Sequence, residues 1–386
     1  MPTGFDFQPR TRVIFGVGAL DRIGEVASAL GTQALLVTDP GIVAAGHLDR
    51  ARRALNASGV NVAIFDAVKE NPTTREVDQC VEAARATIRP QLIIGLGGGS
   101  SMDTAKGCNF LLTNGGQMRD YWGVGKANKP MLPLIAVPTT AGTGSECQSF
   151  ALIADEKTHQ KMACGDPKAA PSVAILDPLL TLTQPRSVAA CTGIDAIAHA
   201  VETAVTKKRN ELSWLYSREA FRLTISNLEH VLQRPDNLES RAAMQLGAAY
   251  AGTAIENSML GAAHSAANPL TAHFGIIHGQ AVGMMLPHVV RFNAQQPESA
   301  AIYAQLARSA DLAAGSARAE QAVEALIAEI HSLLRVAQMP PSLSALNITR
   351  LELAKLAAEA AGQWTAQFNP RPITASDFET IYAAAL

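Results

Sequence analysis

The chain has 386 residues, 48% of them hydrophobic, 17% charged and 5% aromatic, with a formal net charge of −2. That length suits two domains with sizeable cores. A near-neutral balance without any Lys/Arg block speaks against nucleic acid or an anionic membrane surface as partner, and no apolar run approaches the roughly 20 residues of a membrane helix.

In chain order, "QALLVT" (33–38) reads as a first strand, closed by the turn residues "DPG". A helical stretch leads to "VNVAIF" (60–65), and a second helix is expected over about 74–88. "QLIIGL" (91–96) is the third strand, "GGGSSMDTAKGCNFLL" opens the next helix, and "MLPLIAVPTT" (131–140) is the fourth strand. Strands alternating with helices predict parallel βαβ units. "PSVAILDPLLTLTQP" (171–185) combines a last strand with a proline-containing connection, and beyond it nearly every segment has helical apolar spacing. The expected boundary lies near residue 183, giving domains 1–183 and 184–386.

The five cysteines, Cys80, Cys108, Cys147, Cys164 and Cys191, are widely spaced and form no CxxC pair. Neither a disulfide framework nor a thiolate zinc site is suggested. The opening "MPTGFDFQPRTRVIFGVGAL" lacks the apolar core of a signal peptide, so a cytoplasmic location is the expectation.

Gly97, Gly98 and Gly99 directly follow a strand, and Ser100 and Ser101 stand at the start of a helix. Glycines let the backbone approach a ligand closely, and a helix N-terminus favours an anion such as a pyrophosphate. A tight turn with Ser100 as N-cap explains the run equally well. "PTTAGTGSE" (138–146) also follows a strand and offers Thr139, Thr140, Thr143 and Ser145 as donors. Two such loops at the carboxyl ends of parallel strands match the place where open α/β sheets bind ligands. Asp39 is suited to hold a ribose diol and to repel a 2′-phosphate, favouring NAD over NADP, or simply to initiate the turn before Pro40.

"GIDAIAHAVE" (193–202) places Asp195 and His199 four apart, on one face of a helix otherwise lined by Ala, Ile and Val. His264 and His278 follow in "GAAHSAANPLTAHFGIIHGQ". One carboxylate and three imidazoles form a hard-to-borderline set suited to a divalent metal. Core histidines satisfied by neighbours are the competing reading, weakened by the cost of burying an unpaired Asp. His273 and His288 are read as structural or surface residues.

These motifs resemble those of the metal-activated (iron-containing) alcohol dehydrogenase family, in the family's order: "GVGAL", "TDPG", "ENPT", "GGGSSMDTAK", "PTTAGTGSE", "LTLTQP", "GIDAIAHAVE", "HSAANPL" and "NPRPIT". The resemblance runs from about Arg12 to Phe378. It implies an α/β N-terminal dinucleotide-binding domain plus an all-α C-terminal domain, the dehydroquinate synthase-like architecture, with cofactor and metal in a cleft between them. It further implies Asp195, His199, His264 and His278 as metal ligands, and Gly97, Gly98, Ser101, Thr140, Thr143 and Ser145 as cofactor contacts. Asp39 matches the ribose position, Asn71 lies in the "NPT" turn, and Lys161 matches a lysine that reaches the cofactor ribose.

Two departures stand out. Many members have proline where this chain has Ser101, a mild change. Many also have a second histidine four residues after the first ligand of "HxxxHPL", associated with a proton path, where this chain has Asn268. Asn cannot relay a proton by titrating near neutral pH, so water or the cofactor ribose hydroxyls become the expected exit.

The function implied is a metal-dependent NAD-linked alcohol dehydrogenase, transferring hydride between a small alcohol and nicotinamide, reversible to aldehyde or ketone reduction. The metal acts as Lewis acid and no residue acts as nucleophile. Fe²⁺ is the first expectation, with Zn²⁺ and other divalent ions as substitutes, and a homodimer is implied. Phe150, Leu152, Leu260, Asn268 and Phe274 are candidates for the substrate pocket. A nicotinoprotein that retains its NAD, and a silent scaffold of the same fold, are the alternatives.

Overall fold

The computed structural model describes residues 4–158 and 160–386. Contacts divide the chain into two units, residues 8–184 and residues 185–386, and residues 4–7 group with the second unit.

The first unit is built on a six-stranded sheet in which every neighbouring pair is parallel. Its strands are β1 (Arg12–Phe15), β2 (Gln33–Val37), β3 (Asn61–Phe65), β4 (Leu92–Gly97), β6 (Leu134–Pro138) and β9 (Val173–Leu176), in the order β1-β9-β6-β4-β2-β3. Strands β4, β6 and β9 are buried throughout, the pattern of a parallel sheet covered on both faces. One face packs Leu36, Ile94 and Ile135 against Val26, Leu48 and Leu55 of α1 (Ile23–Ser28) and α3 (His47–Ala57). The other packs Leu35, Val37 and Ile93 against Val77 and Val81 of α4 (Thr74–Thr87) and Ala105 and Cys108 of α5 (Gly99–Asn114). The short α2 (Pro40–Ala44) follows β2 and is capped by Asp39.

The outer strand β1 was not among the expected strands. Only Ile14 of its four residues is buried, and its apolar run, Val13 to Phe15, is shorter than those of the central strands. A second, three-stranded sheet was also unanticipated: β5 (Gly123–Val124), β8 (Lys161–Gly165) and β7 (Phe150–Ala154), with β7 and β8 antiparallel.

The second unit is helical: α6 (Arg186–Thr203), α7 (Glu211–Ile225), α8 (Leu228–Gln233), α9 (Leu238–Ser258), α10 (Ala262–Phe274), α11 (His278–Asn293), α12 (Pro297–Ser309), α13 (Ala319–Val336), α14 (Arg350–Ala361) and α15 (Ala375–Ala384). Side-chain capping boxes at Asn210, Thr349 and Thr374 open α7, α14 and α15 by satisfying otherwise orphaned N–H groups. The helical spacing of residues 211–233 is carried by two helices, α7 and α8. The chain breaks at Asn227, whose side chain turns back to bond the Leu223 carbonyl. Helix α9 stops at Ser258 because Met259 takes a left-handed φ of 68°.

Candidate metal centre and dinucleotide loops

Helix α6 is an unusual scaffold: from Ala189 to Thr203 every residue but Thr192 is buried, most of them small. Small residues let neighbours come close. A Cβ on Gly193 would fall 2.4 Å from Leu228 Cδ1 on α8, and one on Gly279 would fall 2.1 Å from the Cys191 carbonyl oxygen. Gly279 is the second residue of α11, so its missing side chain seats that helix against α6 and brings His278 to the cluster.

Asp195 sits at the centre. Its Oδ1 lies 3.5 Å from His199 Nε2, 3.4 Å from His264 Nε2 and 4.0 Å from His278 Nε2. The His199 and His264 rings stack at 4.8 Å, and His264 and His278 are 5.3 Å apart. Ligand atoms of Asp195, His199 and His264 all lie within 4.8 Å of one another, and all three residues are buried. His278, at the start of α11, is partly exposed. The four residues predicted as ligands are thus brought together, within one unit.

Burial would raise the carboxyl pKa of Asp195, but the imidazoles of His199, His264 and His278 hold it well below the usual range. Burial likewise opposes protonation of His264, yet the carboxylates of Glu202 and Asp195 push its pKa up to about 9. Among the described residues Asp195 Oδ1 and His264 Nε2 make no hydrogen bond although both are fully buried. A buried carboxylate oxygen and imidazole nitrogen left unsatisfied side by side are costly. A divalent cation bound by both removes that cost, so the donor set fits the metal that its composition suggested.

Glu202, three residues beyond His199 on the same helix face, was not singled out from the sequence. Its Oε2 contacts His264 Nδ1, and its Oε1 accepts the Ala263 N–H at 2.6 Å. The spacing 195, 199, 202 was the available signal, since i, i+4 and i+7 share one face. Asn268, one turn after His264, donates to Gln363 Oε1 at 3.0 Å. His273 pairs with Glu359, and His288 meets the His331 ring edge-on, so neither joins the cluster.

The glycine-rich candidates gather at the carboxyl ends of β2, β4 and β6 in the α/β unit. Helix α5 begins at Gly99 with Gly98 as N-cap, so Ser100 lies inside the first turn. Gly97 has φ +150°, and a Cβ there would meet Ser101 Oγ at 2.4 Å and Asp39 Oδ2 at 3.0 Å. Cβ atoms on Gly98 and Gly99 would meet Thr140 at 3.3 Å and Thr143 at 2.8 Å. The two loops are therefore packed on each other, and only glycine permits it. Thr139 N–H bonds the Gly97 carbonyl at 3.0 Å, and Asn71, with φ 53°, donates its N–H to Ser100 Oγ at 3.3 Å.

Asp39 starts the turn at Pro40, the second of the two roles considered for it. Oδ1 caps α2 through the N–H groups of Gly41 and Ile42, while Oδ2 accepts from Ser101 Oγ at 3.2 Å. The Ser145 hydroxyl is turned into the protein, donating to Asp103 Oδ1 at 2.8 Å and accepting from Lys106 Nζ at 2.7 Å. Lys106 is fully buried and also donates to the carbonyls of Ser145 and Phe150. Next to Ser145 in sequence, Glu146 is buried with Oε1 unbonded, and burial pushes its pKa up to about 7. This buried polar knot was not foreseen. Lys161 is exposed at the start of β8. Of the pocket candidates, Phe150 and Leu152 lie on β7 of the α/β unit, whereas Leu260, Asn268 and Phe274 belong to the helical unit.

Comparison with known proteins agrees with both halves. Residues 9–178 match the family described as iron-containing alcohol dehydrogenase, and residues 189–386 match the C-terminal part of the Fe-containing alcohol dehydrogenase family. Alcohol dehydrogenase 4 of Schizosaccharomyces pombe is 33% identical over 374 residues, 97% of this chain and 87% of that protein. The NAD-dependent methanol dehydrogenase of Bacillus methanolicus is 31% identical over the full length of both. Among solved structures, a 1,3-propanediol oxidoreductase superposes with a TM-score of 0.95 at 32% identity, covering all of both chains. With both domains matched from end to end, the chain belongs to the iron-containing alcohol dehydrogenase family.

Proposed function

We propose that the chain catalyses the reversible NAD-linked oxidation of a small primary alcohol or diol, using a metal held by Asp195, His199, His264 and His278. One observation carries this: a buried carboxylate facing three imidazoles, with Asp195 Oδ1 and His264 Nε2 lacking any hydrogen bond. A divalent cation at this position supplies Lewis acidity to an alcohol or carbonyl oxygen, and nicotinamide supplies the hydride acceptor. Ferrous iron is the proposed resident ion, with zinc as the substitute the donor set also accepts.

The residues of the chain bind and orient. Asp195 offers the one formal negative charge among the four donors and stays ionised across the working pH range. The N-terminus of α5 and the packed loops at Gly97–Gly98 and Thr139–Thr143, with Ser100, Ser101 and Asn71 beside them, form the proposed dinucleotide cradle; Lys161 on β8 is proposed to reach the ribose, and Ser145, its hydroxyl turned inward, to brace the threonine loop. Asp39, at the end of β2, is proposed to select NAD by repelling a 2′-phosphate. Asn268, whose amide donates to Gln363 Oε1, cannot take up a proton by titrating near neutral pH, so the alcohol proton would have to leave by a route other than this side chain. The names of two relatives, a methanol dehydrogenase and a 1,3-propanediol oxidoreductase, support a short alcohol as the proposed substrate. The working form is proposed as a cytoplasmic homodimer. Among the described residues no helix is long and apolar enough to cross a membrane.

Elemental analysis paired with NAD-linked oxidation of a short-alcohol panel, before and after chelation and add-back of Fe²⁺ or Zn²⁺, tests the reading. Loss on chelation and recovery with one cation supports it. Full activity at no bound metal overturns it. Activity confined to protein with co-purified NAD would favour the nicotinoprotein alternative.

A further inference from the structure

Every buried polar atom around Asp195 needs a partner, and Glu202 has an arrangement the alcohol reaction does not by itself require. It is 4% exposed, on the helix that carries Asp195 and His199. Its two carboxylate oxygens are committed to two different donors in the first turn of α10: Oε1 to the Ala263 N–H at 2.6 Å, Oε2 to His264 Nδ1. Gly261, just before α10, leaves the room, since a Cβ there would stand 3.2 Å from Glu202 Oε1. The opposite nitrogen of the same ring, His264 Nε2, faces Asp195 Oδ1 at 3.4 Å and is left without a hydrogen bond.

We propose that Glu202 is a positioning residue for the metal centre. By accepting a hydrogen bond from His264 Nδ1–H, it fixes the ring's rotation and keeps the proton off Nε2 whenever that nitrogen is to be a ligand. The inference rests on the reading of His264 as a ligand. It adds a residue outside the ligand set and a specific electronic demand, two acceptor oxygens at one position.

Counting donors and acceptors makes the demand sharp. Ala263 N–H and His264 Nδ1–H are both donors, and an ionised carboxylate supplies an acceptor to each. A glutamine in the same place supplies one oxygen and one NH₂. Because the Ala263 N–H cannot change, the oxygen goes to it and the NH₂ faces His264 Nδ1. The ring then satisfies that NH₂ only by presenting a bare Nδ1, which puts its proton on Nε2, the tautomer that cannot ligate. Second partners of metal-bound histidines typically carry 10–100-fold in metal affinity.

The test is Zn²⁺ affinity of the full chain by competition with a chromophoric chelator, for wild type, Glu202→Gln and His264→Ala. Far-ultraviolet circular dichroism checks the helices, and NADH fluorescence checks the α/β unit. Glu202→Gln is expected to bind Zn²⁺ about 10–100-fold more weakly with both controls unchanged. Zn²⁺ affinity within about threefold of wild type, with His264→Ala strongly impaired, overturns the role of Glu202 alone. Wild-type affinity in His264→Ala overturns the ligand reading beneath it. Should Glu202→Gln fail to fold, ¹⁵N-histidine NMR of the Zn²⁺-loaded wild type decides. A proton on His264 Nδ1 with the metal on Nε2 supports the proposal, and the reverse assignment overturns it.

Discussion

Ser101 Oγ donates to Asp39 Oδ2 at 3.2 Å, joining the end of β2 to the first turn of α5. The carboxylate is thus held at the rim of the glycine turn by two sets of partners, one per oxygen. Its negative charge is the obstacle expected to a 2′-phosphate. Replacing Asp39 by Gly should shift the NAD to NADP ratio of kcat/KM towards NADP by about tenfold or more, roughly 1.4 kcal/mol. Glycine is a tolerable N-cap, so the cost to α2 should be a few tenths of a kcal/mol. Steady-state kinetics with both dinucleotides checks it; an unchanged ratio would remove Asp39 from cofactor selection.

Replacing a cluster member should disable chemistry without unfolding the chain. His264→Ala and Asp195→Asn remove a donor from a set facing a single point, and loss of several kcal/mol of transition-state stabilisation is expected. That corresponds to a drop on the order of 10³-fold in kcat/KM, with metal content falling in parallel. Metal analysis and alcohol oxidation measured on the same sample check it. Retained activity in either variant would exclude a metal at this position.

Glu146 should make stability fall as pH rises. Burial lifts its folded pKa from 4.5 to about 7, so between those values the native state holds a proton that the unfolded chain has released. Stability from this group is fully present below about pH 4.5 and lost as pH climbs through 7. The penalty at pH 8 is about 3 kcal/mol. Glu146→Gln should flatten denaturant midpoints between pH 5 and pH 8 and exceed wild type at the upper end. Parallel pH profiles for the two proteins would count against the buried, proton-holding carboxyl.

Lys106 should be among the least replaceable side chains of the α/β unit. Its ammonium is fully buried and bonded to two carbonyls and the Ser145 hydroxyl. Lys106→Met leaves those acceptors and nearby Asp103 without their cation, a loss of about 3–5 kcal/mol. Adding Asp103→Asn should recover part of it, because the double change removes both charges. Chemical unfolding of the three variants gives the coupling; a Lys106→Met loss under about 1 kcal/mol would refute the buried-cation argument.

How far the sequence reaches can be judged element by element. β2, β4, β6 and β9 were legible because parallel strands covered on both faces read as apolar runs. β1 was not, since Val13 and Phe15 lie exposed on an outer strand and only Ile14 is inside. The β7–β8 pair was missed for a different reason: in β7 the buried Ala151 and Ile153 alternate with Phe150, Leu152 and Ala154, which are apolar too, so the sequence shows no polar and apolar alternation. Within the metal cluster, Asp195 and His199 were readable from helical spacing alone. Their convergence with His264 and His278 depends on α10 and α11 packing beside α6, which no local pattern encodes. Lys106 and Glu146 were silent because charged residues in a helix or loop read as solvent-facing until tertiary structure encloses them.

All four members of the Asp195 cluster lie in residues 185–386, whereas Asp39, the glycine turn and the threonine loop lie in residues 8–184. If the proposed sites hold, saturation with nucleotide and saturation with metal are separate properties of a sample. On the proposed assignment, a preparation stripped by chelator is expected to stay folded and bind NADH while losing alcohol oxidation. Specific activity would then record metal occupancy as well as purity. Comparisons between variants are meaningful only per mole of bound metal.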